Sequence, residues 1–337
     1  MLRIVGDINL TDGYFDTGFG TGSKIKQGLD PFAHLVREEG DFWIGNMECV
    51  CASTSNQCGL KQKQFIIAPQ YLNHISHLDF YGVANNHVMQ HGAVAYKEML
   101  DYLDSKSIGY AGSNNRHSYQ FIHQGKEIGI LVFCLRPDNF TKEPCYWAMP
   151  ELDEMETELQ KLAGCDYRIA YVHWGNEFIG YPYIDQKQLA HFLVDHGVQL
   201  LIGMHPHRLQ GYEKYKGATI FYSLGNFVFN MPWEPTKYSI IVNVDLSGNS
   251  PAITYNYVAI GKDYCPKNTE EVPQDYKMEH LNELLNINEE NEKYYRHVFY
   301  YNKQYQRANR VNILKNIIRM NPLDSLGMIS DFIRRKI

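Results

Sequence analysis

Short apolar runs rich in β-branched and aromatic residues recur along the first ~260 positions, beginning with Arg3-Ile4-Val5, Phe42-Trp43-Ile44, Phe65-Ile66-Ile67 and Phe80-Tyr81-Gly82-Val83. They continue at 128–133, 168–172, 199–202, 219–222, 239–244 and 253–258. Runs this short and this branched predict strands, about ten in all. Between them, 31–38, 69–77, 93–106, 151–162 and 186–196 carry helical spacing, and the first two open on a proline suited to a first helical turn. Strand alternating with helix predicts an α/β protein whose helices cover sheet faces. The last two strands have no helix between them, which predicts antiparallel pairing and a mixed sheet.

After Lys262 the pattern changes: 263–274 is polar and loop-like, and from about Tyr276 the spacing is helical to the end, interrupted at Pro322. The division expected is a domain over 1–262 and a helical C-terminal extension over 263–337. From Tyr301 onward Lys303, Arg307, Arg310, Lys315, Arg319, Arg334, Arg335 and Lys336 stand against only Asp324 and Asp331, a net +6. Such a basic amphipathic tail docks on its own acidic body, pairs with another subunit or a synthase, or lies on an anionic membrane surface. Docking on the body is the plainest of these.

Composition narrows the field. The 337 residues are 44% hydrophobic and 21% charged, enough to bury one large core or two modest ones. A net charge of −6 argues against a nucleic-acid partner. No stretch reaches the ~18 consecutive apolar residues of a membrane span, and Met1 to Asp7 lacks signal-peptide anatomy, so the expected place is the cytoplasm or the inner membrane face as a peripheral protein. Seven cysteines in such a chain predict reduced thiols, and Cys49, Cys51 and Cys58 lack a second ligand pair at zinc-finger spacing. The glycines at 18, 20 and 22 lack the spacing of a dinucleotide fingerprint.

The chemistry sits where predicted strands run out: Gly6-Asp7-Ile8-Asn9, Gly45-Asn46-Met47-Glu48, Ala84-Asn85-Asn86-His87, His173-Trp174-Gly175-Asn176-Glu177 and Gly203-Met204-His205-Pro206-His207. Singly, each has a structural explanation, such as a turn cap or a hydrogen-bonded histidine. Together they gain weight, because strand ends of open α/β sheets gather into one crevice. Pro206 favours an extended His205, which would aim His205 and His207 the same way. With Asp7, Glu48, Asn86 and His173 they form a nitrogen and oxygen donor set that suits two divalent ions of the zinc, manganese or iron type. Glu48 is expected to bridge, with Asp7 as a possible sharer, and water held between two ions is the expected nucleophile.

These motifs, with His205-Pro206-His207-Arg208-Leu209-Gln210 and Tyr222-Ser223-Leu224-Gly225-Asn226-Phe227, resemble the capsule-synthesis CapA (poly-γ-glutamate synthesis, PGA_cap) family over about residues 1 to 260. That family is related to the calcineurin-like metallophosphoesterases. The resemblance implies a four-layer αββα sandwich, with Asn86 as the metal-binding amide, His87 as the neighbouring acid, and His173, His205 and His207 as imidazole ligands. Two departures follow from it. The phosphoesterases carry Asp-x-His where this chain has Asp7-Ile8-Asn9, so an amide replaces an imidazole and one metal site is expected to be weak. The capsule family usually carries Asp three residues after the motif histidine, where this chain has Gln90. A neutral amide orients His87 without stabilising imidazolium, so the His87 pKa is expected to lie lower than in relatives.

Further expectations concern substrate. Glu177 would select a cationic or hydroxyl group, and Arg208 would hold a carboxylate or phosphate unless either closes a surface ion pair. Trp174, Tyr181, Tyr183 and Trp233 line a polymer groove or pack in the core. Asn226 braces the backbone near the histidines or contacts substrate. Two functions are carried forward. One is a metal-dependent hydrolase acting on a cell-surface polymer or its precursor, at a phosphoester or amide bond. The other is a non-catalytic capsule-assembly factor that binds polymer and recruits a synthase or membrane, a role compatible with a homo-oligomer.

Overall fold

In a computed structural model describing residues 1–74, 77–287 and 291–334, two β-sheets lie face to face between helices. The first sheet has eight strands, in the order β16 (Pro266–Asn268), β15 (Ala252–Ile260), β14 (Tyr238–Asp245), β1 (Leu2–Ile8), β2 (Phe42–Met47), β5 (Phe80–Gly82) and β6 (Gly109–Ala111), with β13 (Asn226–Val228) beside the end of β1. The second has six, in the order β11 (Tyr212–Tyr215), β12 (Ala218–Phe221), β10 (Leu200–Met204), β9 (Tyr167–His173), β8 (Lys126–Cys134) and β7 (Ser118–His123). A small ribbon pairs β3 (Val50–Cys51) with β4 (Ile66–Ile67).

Alternation along the central strands explains the layering. In β8 to β10, Ile130, Val132, Ile169, Tyr171 and Ile202 enter the core between the sheets, whereas Leu131, Phe133, Ala170, Val172 and Leu201 enter a second core on the far side. Strands buried on both faces must be apolar at successive positions, which is why they read as continuous runs. The second core is closed by α3 (Leu152–Lys161) through Met155 and Leu159, and by α4 (Ile184–Asp195) through Ala190 and Leu193. On the first sheet's side lie the short α1 (Thr21–Lys26) and α2 (Ala93–Ser105), whose Tyr96, Met99 and Leu103 are buried. The result is the four-layer αββα sandwich that the resemblance implies. Tyr171 ties the layers together, its hydroxyl donating to the Val5 carbonyl at 2.9 Å.

Three local expectations change. Residues 31–38 form successive turns rather than a helix: Asp30 Oδ1 accepts the Phe32 amide at 2.8 Å, and so short a segment cannot offset helix nucleation. Over 69–77 the structure shows a 3₁₀ helix at Pro69–His74, with residues 75 and 76 outside the described part. The strands number sixteen among the described residues rather than about ten, because edge strands such as β7, with Ser118, Gln120 and His123 interrupting its apolar residues, and two- or three-residue strands carry no run for the sequence to display. The expected antiparallel finish is present, β14 pairing with β15 from Tyr238↔Ala259 to Asp245↔Ala252. All seven cysteines are free thiols, Cys49 and Cys51 buried and Cys58 exposed.

Beyond Lys262, β16 adds an edge strand, followed by α5 (Met278–Leu284), α6 (Asn291–Asn316) and α7 (Pro322–Arg334), with Pro322 in the first turn of α7. One face of α6 lies on the body. Tyr294 packs with Ile179 and Tyr181, while Tyr301 and Tyr305 pack with Phe178, Phe229 and Trp233.

Candidate metal centre

Parallel strands end on the same sheet edge, so β1, β2 and β5 of one sheet and β8, β9 and β10 of the other deliver their C-terminal residues to one place. Asp7 leaves β1 in register with Asn46 of β2 on one side and Asn226 of β13 on the other. The approach of β13 depends on Gly6, where a Cβ would fall 1.9 Å from the Gly225 carbonyl oxygen. Asp7, Glu48, Asn86, His173, His205 and His207 are each at most 3% exposed.

Their donor atoms converge. Oxygen and nitrogen atoms of Asp7, Glu48 and His173 lie within 4.8 Å of one another, as do those of Glu48, His205 and His207, so Glu48 belongs to both sets. His207 Nε2 is 3.6 Å from Glu48 Oε1, and His207 Nδ1 is 3.7 Å from Asp7 Oδ2. His173 Nε2 lies 2.9 Å from Asn86 Oδ1 and 3.1 Å from His205 Nδ1, while its Nδ1 meets Asn46 Nδ2 at 3.2 Å. Asn46 also donates to Asp7 Oδ1 at 2.7 Å, and the His205 backbone amide donates to Asp7 Oδ2 at 3.1 Å. The geometry therefore brings together all six residues expected to ligate metal.

Burial dominates the electrostatics. It raises Asp7 to about 7 against hydrogen bonds that pull the other way. Glu48 rises well above its ordinary value, first by burial and then by the charges of Asp7 and Glu177. The imidazoles move oppositely: His207 falls to about 3, and His173 and His205 fall well below the usual value. Both Glu48 oxygens and His205 Nε2 are buried without a hydrogen-bond partner among the described residues. Buried lone pairs of this kind are costly. Divalent cations would satisfy them, and the hard and borderline oxygen and nitrogen donors are compatible with such ions.

His205 and His207 reach this place by a route different from the one expected. Neither is extended: φ is +96° at His205 and +56° at His207. The left-handed backbone is held by the His205 amide on Asp7, by the Phe178 amide donating to the Pro206 carbonyl at 2.9 Å, and by His207 Nδ1 against Asn226 Oδ1 at 2.9 Å. Strain at non-glycine residues persists where surroundings over-determine it.

The remaining predicted residues divide. His87 lies at the rim, its Nε2 3.9 Å from Glu48 Oε1 and its ring stacked on Phe65 at 3.8 Å between centroids. Burial lowers it to about 4, only partly offset by Gln90, whose Oε1 is 3.4 Å from Nδ1. Asn226 touches His207 and donates to the Thr236 carbonyl at 3.3 Å, the bracing role of its two expected alternatives. Glu177 approaches closely enough for its charge to act on Glu48. Arg208 turns away: its guanidinium donates to the Phe178 carbonyl at 3.0 Å and lies over Trp233 and Tyr301. Asn9 is spent locally, its Oδ1 accepting from the Thr11 hydroxyl at 2.7 Å and the Thr11 amide at 3.1 Å. Trp174 is core, its indole N–H donating to the Tyr222 carbonyl, and Tyr181, Tyr183 and Trp233 form the seat of α6 rather than an open groove.

Three contributors were not assigned roles from sequence. Asn46 stands two residues before Glu48, so strand alternation points both inward. Arg136 follows the end of β8, where Cys134 is in register with His173; burial raises Glu177, the Arg136 charge offsets part of that rise, and Arg136 Nη1 donates to Asn176 Oδ1 at 3.4 Å. The strand-exit reasoning applied to β8 would have found it. Tyr305 of α6, stacked on Phe178 at 4.1 Å, carries no sequence signal linking it to the site.

Residues 1–231, which include all six candidate ligands, match the model of the bacterial capsule synthesis protein family PGA_cap. The chain belongs to that family. Among relatives, the capsule biosynthesis protein CapA of Bacillus anthracis is 33% identical over 187 residues, 51% of this chain and 45% of the relative. The PGA biosynthesis protein CapA of Bacillus subtilis strain 168 is 36% identical over 179 residues, 49% of this chain and 46% of the relative. The match thus spans just under half the length of each. Among solved structures, a 5′-nucleotidase precursor from Thermus thermophilus is similar at 13% identity and TM-score 0.44, covering 79% of this chain and 55% of that one. A phosphatase from Mycoplasma pneumoniae is similar at 12% identity and TM-score 0.45, covering 77% and 92%.

Proposed function

We propose that this PGA_cap protein is a metal-dependent hydrolase of capsule or exopolymer synthesis, of the poly-γ-glutamate type, acting on a cell-surface polymer or its precursor at a phosphoester or amide bond. The observation that carries the reading is Glu48, a fully buried carboxylate common to two donor sets, with both oxygens unpartnered among the described residues. Asp7, Glu48 and His173 would hold one divalent ion, and Glu48, His205 and His207 a second, with Asn86 beside His173. Such ions supply Lewis acidity and water of lowered pKa.

The chain's own residues do the rest. Asn226 fixes the tautomer of His207, and Asn46 orients Asp7. His87, neutral at pH 7, is placed at the rim to accept a proton rather than to give one, held by Phe65 and Gln90. Arg136 beside Glu177 offers a cation for an anionic group of the substrate.

Asn9 and Gln90 favour the second reading, a non-catalytic capsule-assembly factor, because the Asn9 amide oxygen is engaged with Thr11. Metal analysis separates the two readings when combined with hydrolysis of a generic phosphodiester and of γ-glutamyl peptides. The wild type and a His205→Ala, His207→Ala double variant are compared. The hydrolase reading expects metal and turnover in the wild type and loss of both in the variant. An inert wild type, whether metal-loaded or metal-free, supports the assembly factor, and a chain that takes up no metal and turns over neither substrate defeats the hydrolase reading.

A further inference from the structure

The two sides of α6 are built for different neighbours. Its inner side is the seat on the body: Tyr294 is 1% exposed, and Tyr301 and Tyr305 lie against Phe178 and Trp233. Its outer side carries Phe299, Lys303, Arg307, Arg310 and Leu314, spaced three or four apart and so on one face, continued by Ile318 just past the helix end. Phe299 is 70% exposed, Leu314 71% and Ile318 89%, and the cations between them are exposed too. In α7, Leu323, Leu326 and Ile329 repeat at threes and are also exposed.

Charge is one-sided. Between Lys293 and Leu323 the chain has seven Lys or Arg and no Asp or Glu. Among the described residues, Lys303, Arg307, Arg310 and Lys315 have no ion-pair partner, although the chain as a whole is acidic at −6.

We infer that the outward face of α6, with the exposed apolar residues of α7, is a docking surface for an anionic lipid bilayer. Cations interleaved with large apolar tips along a single helix face match the headgroup and acyl boundary, where each kind of residue finds its own partner. An acidic protein surface would satisfy the cations and leave Phe299, Leu314 and Ile318 in water or against charge. Binding is peripheral, since no helix among the described residues is long and apolar enough to cross a membrane. The inner side of the same helix walls the metal centre through Tyr305 and Phe178, so docking would hold that centre at the lipid surface.

The test uses the full chain and vesicles of phosphatidylcholine alone or mixed with phosphatidylglycerol, read by cosedimentation. The wild type is expected to bind the anionic vesicles, to release them in high salt, and to ignore the neutral ones. A Lys303→Glu, Arg307→Glu, Arg310→Glu variant should bind roughly tenfold or more weakly, and a Phe299→Ser, Leu314→Ser variant should also lose binding. Both variants alter exposed positions only, so unchanged thermal unfolding and metal content certify the fold. Wild-type binding no greater on anionic than on neutral vesicles overturns the inference, as does unchanged binding by both variants. A dimer dissolved by the charge reversal, with no vesicle binding, assigns the face to a second copy and overturns it equally.

Discussion

His207 Nδ1 lies 2.9 Å from Asn226 Oδ1, and the opposite nitrogen, Nε2, is the one turned toward Glu48 at 3.6 Å. The Asn226 amide is itself oriented by donating to the Thr236 carbonyl, so its oxygen accepts and His207 carries its proton on Nδ1. The lone pair is left on Nε2, facing the centre. Asn226→Ala should therefore lower affinity for a divalent cation about ten- to hundredfold, the usual cost of losing such a support. Asn226→Asp should recover most of it. Titration against a chelating dye measures both, and an affinity unchanged in the alanine variant would show that the contact plays no part in binding.

Glu48 pulls stability and ion binding in opposite directions. Buried beside Asp7, whose charge repels it, and with no hydrogen-bond partner for either oxygen by the geometry of the described residues, it is a liability to the metal-free chain. Glu48→Gln should leave the metal-free melting temperature at pH 8 unchanged or higher, and should abolish the upward shift that manganese or zinc gives the wild type. Thermal unfolding with and without chelator checks this, and a large drop in the metal-free variant would contradict it.

The pH dependence of the metal-free chain has a definite sign. Asp7 and Asp16 stand near 7 and Glu48 is raised well above its ordinary value, each chiefly by burial, so the folded chain keeps protons that the unfolded chain has released. That contribution is whole below about pH 3.8, the unfolded value for aspartate, and is lost as pH rises through about 7. His207 near 3 and His87 near 4 act oppositely, favouring the folded state above 6.5 and losing that advantage as pH falls. Above 6.5 the carboxyls of this group are left to act alone. Denaturation in chelator should accordingly show this group's contribution to stability falling from pH 6.5 to 8 in the wild type and falling less in Glu48→Gln. Calorimetry in two buffers should show protons released on metal binding. Equal slopes for the two proteins would contradict the assignment.

Gly6 is the point on which the approach of β13 turns. An added Cβ would lie 1.9 Å from a backbone oxygen, which cannot move as a side-chain tip can. Gly6→Ala should cost at least about 1–3 kcal/mol and weaken metal binding, because Asp7 and Asn226 are set by that strand pair. Gly164, with no atom within 4 Å of its Cβ position and an exposed backbone, is the control, and Gly164→Ala should fall within about 0.5 kcal/mol of wild type. Urea denaturation of the two variants decides it.

Strand exits were legible because apolar runs such as those ending at Val5 and Met204 give way to Gly6-Asp7-Ile8-Asn9 and His205-Pro206-His207, and a sheet must put its parallel strand ends on one edge. Residues 31–38 misled because a proline and a few apolar positions imitate a first turn, while the Asp30 side chain captures the Phe32 amide. Arg208 misled in another way. Its place beside His207 suggests a substrate contact, but side-chain direction depends on the aromatic partners Trp233 and Tyr301, and Tyr301 lies almost a hundred residues away.

Local pattern by itself determined the alternation of strands and helices, the placing of Asp7, Glu48, Asn86, His173, His205 and His207 at or just past strand exits, and the basic amphipathic character of the tail, because each shows as a period of two or of three to four residues or as a break in one. Only the tertiary structure decided that Glu48 serves two donor sets, that Asn226 rather than solvent holds His207, that Asn9 is tied to Thr11, and that α6 turns Tyr294, Tyr301 and Tyr305 to the body and Arg307 and Arg310 outward. Those are distances between elements remote in sequence. They arise from how two sheets and a helix pack, and no local periodicity encodes them.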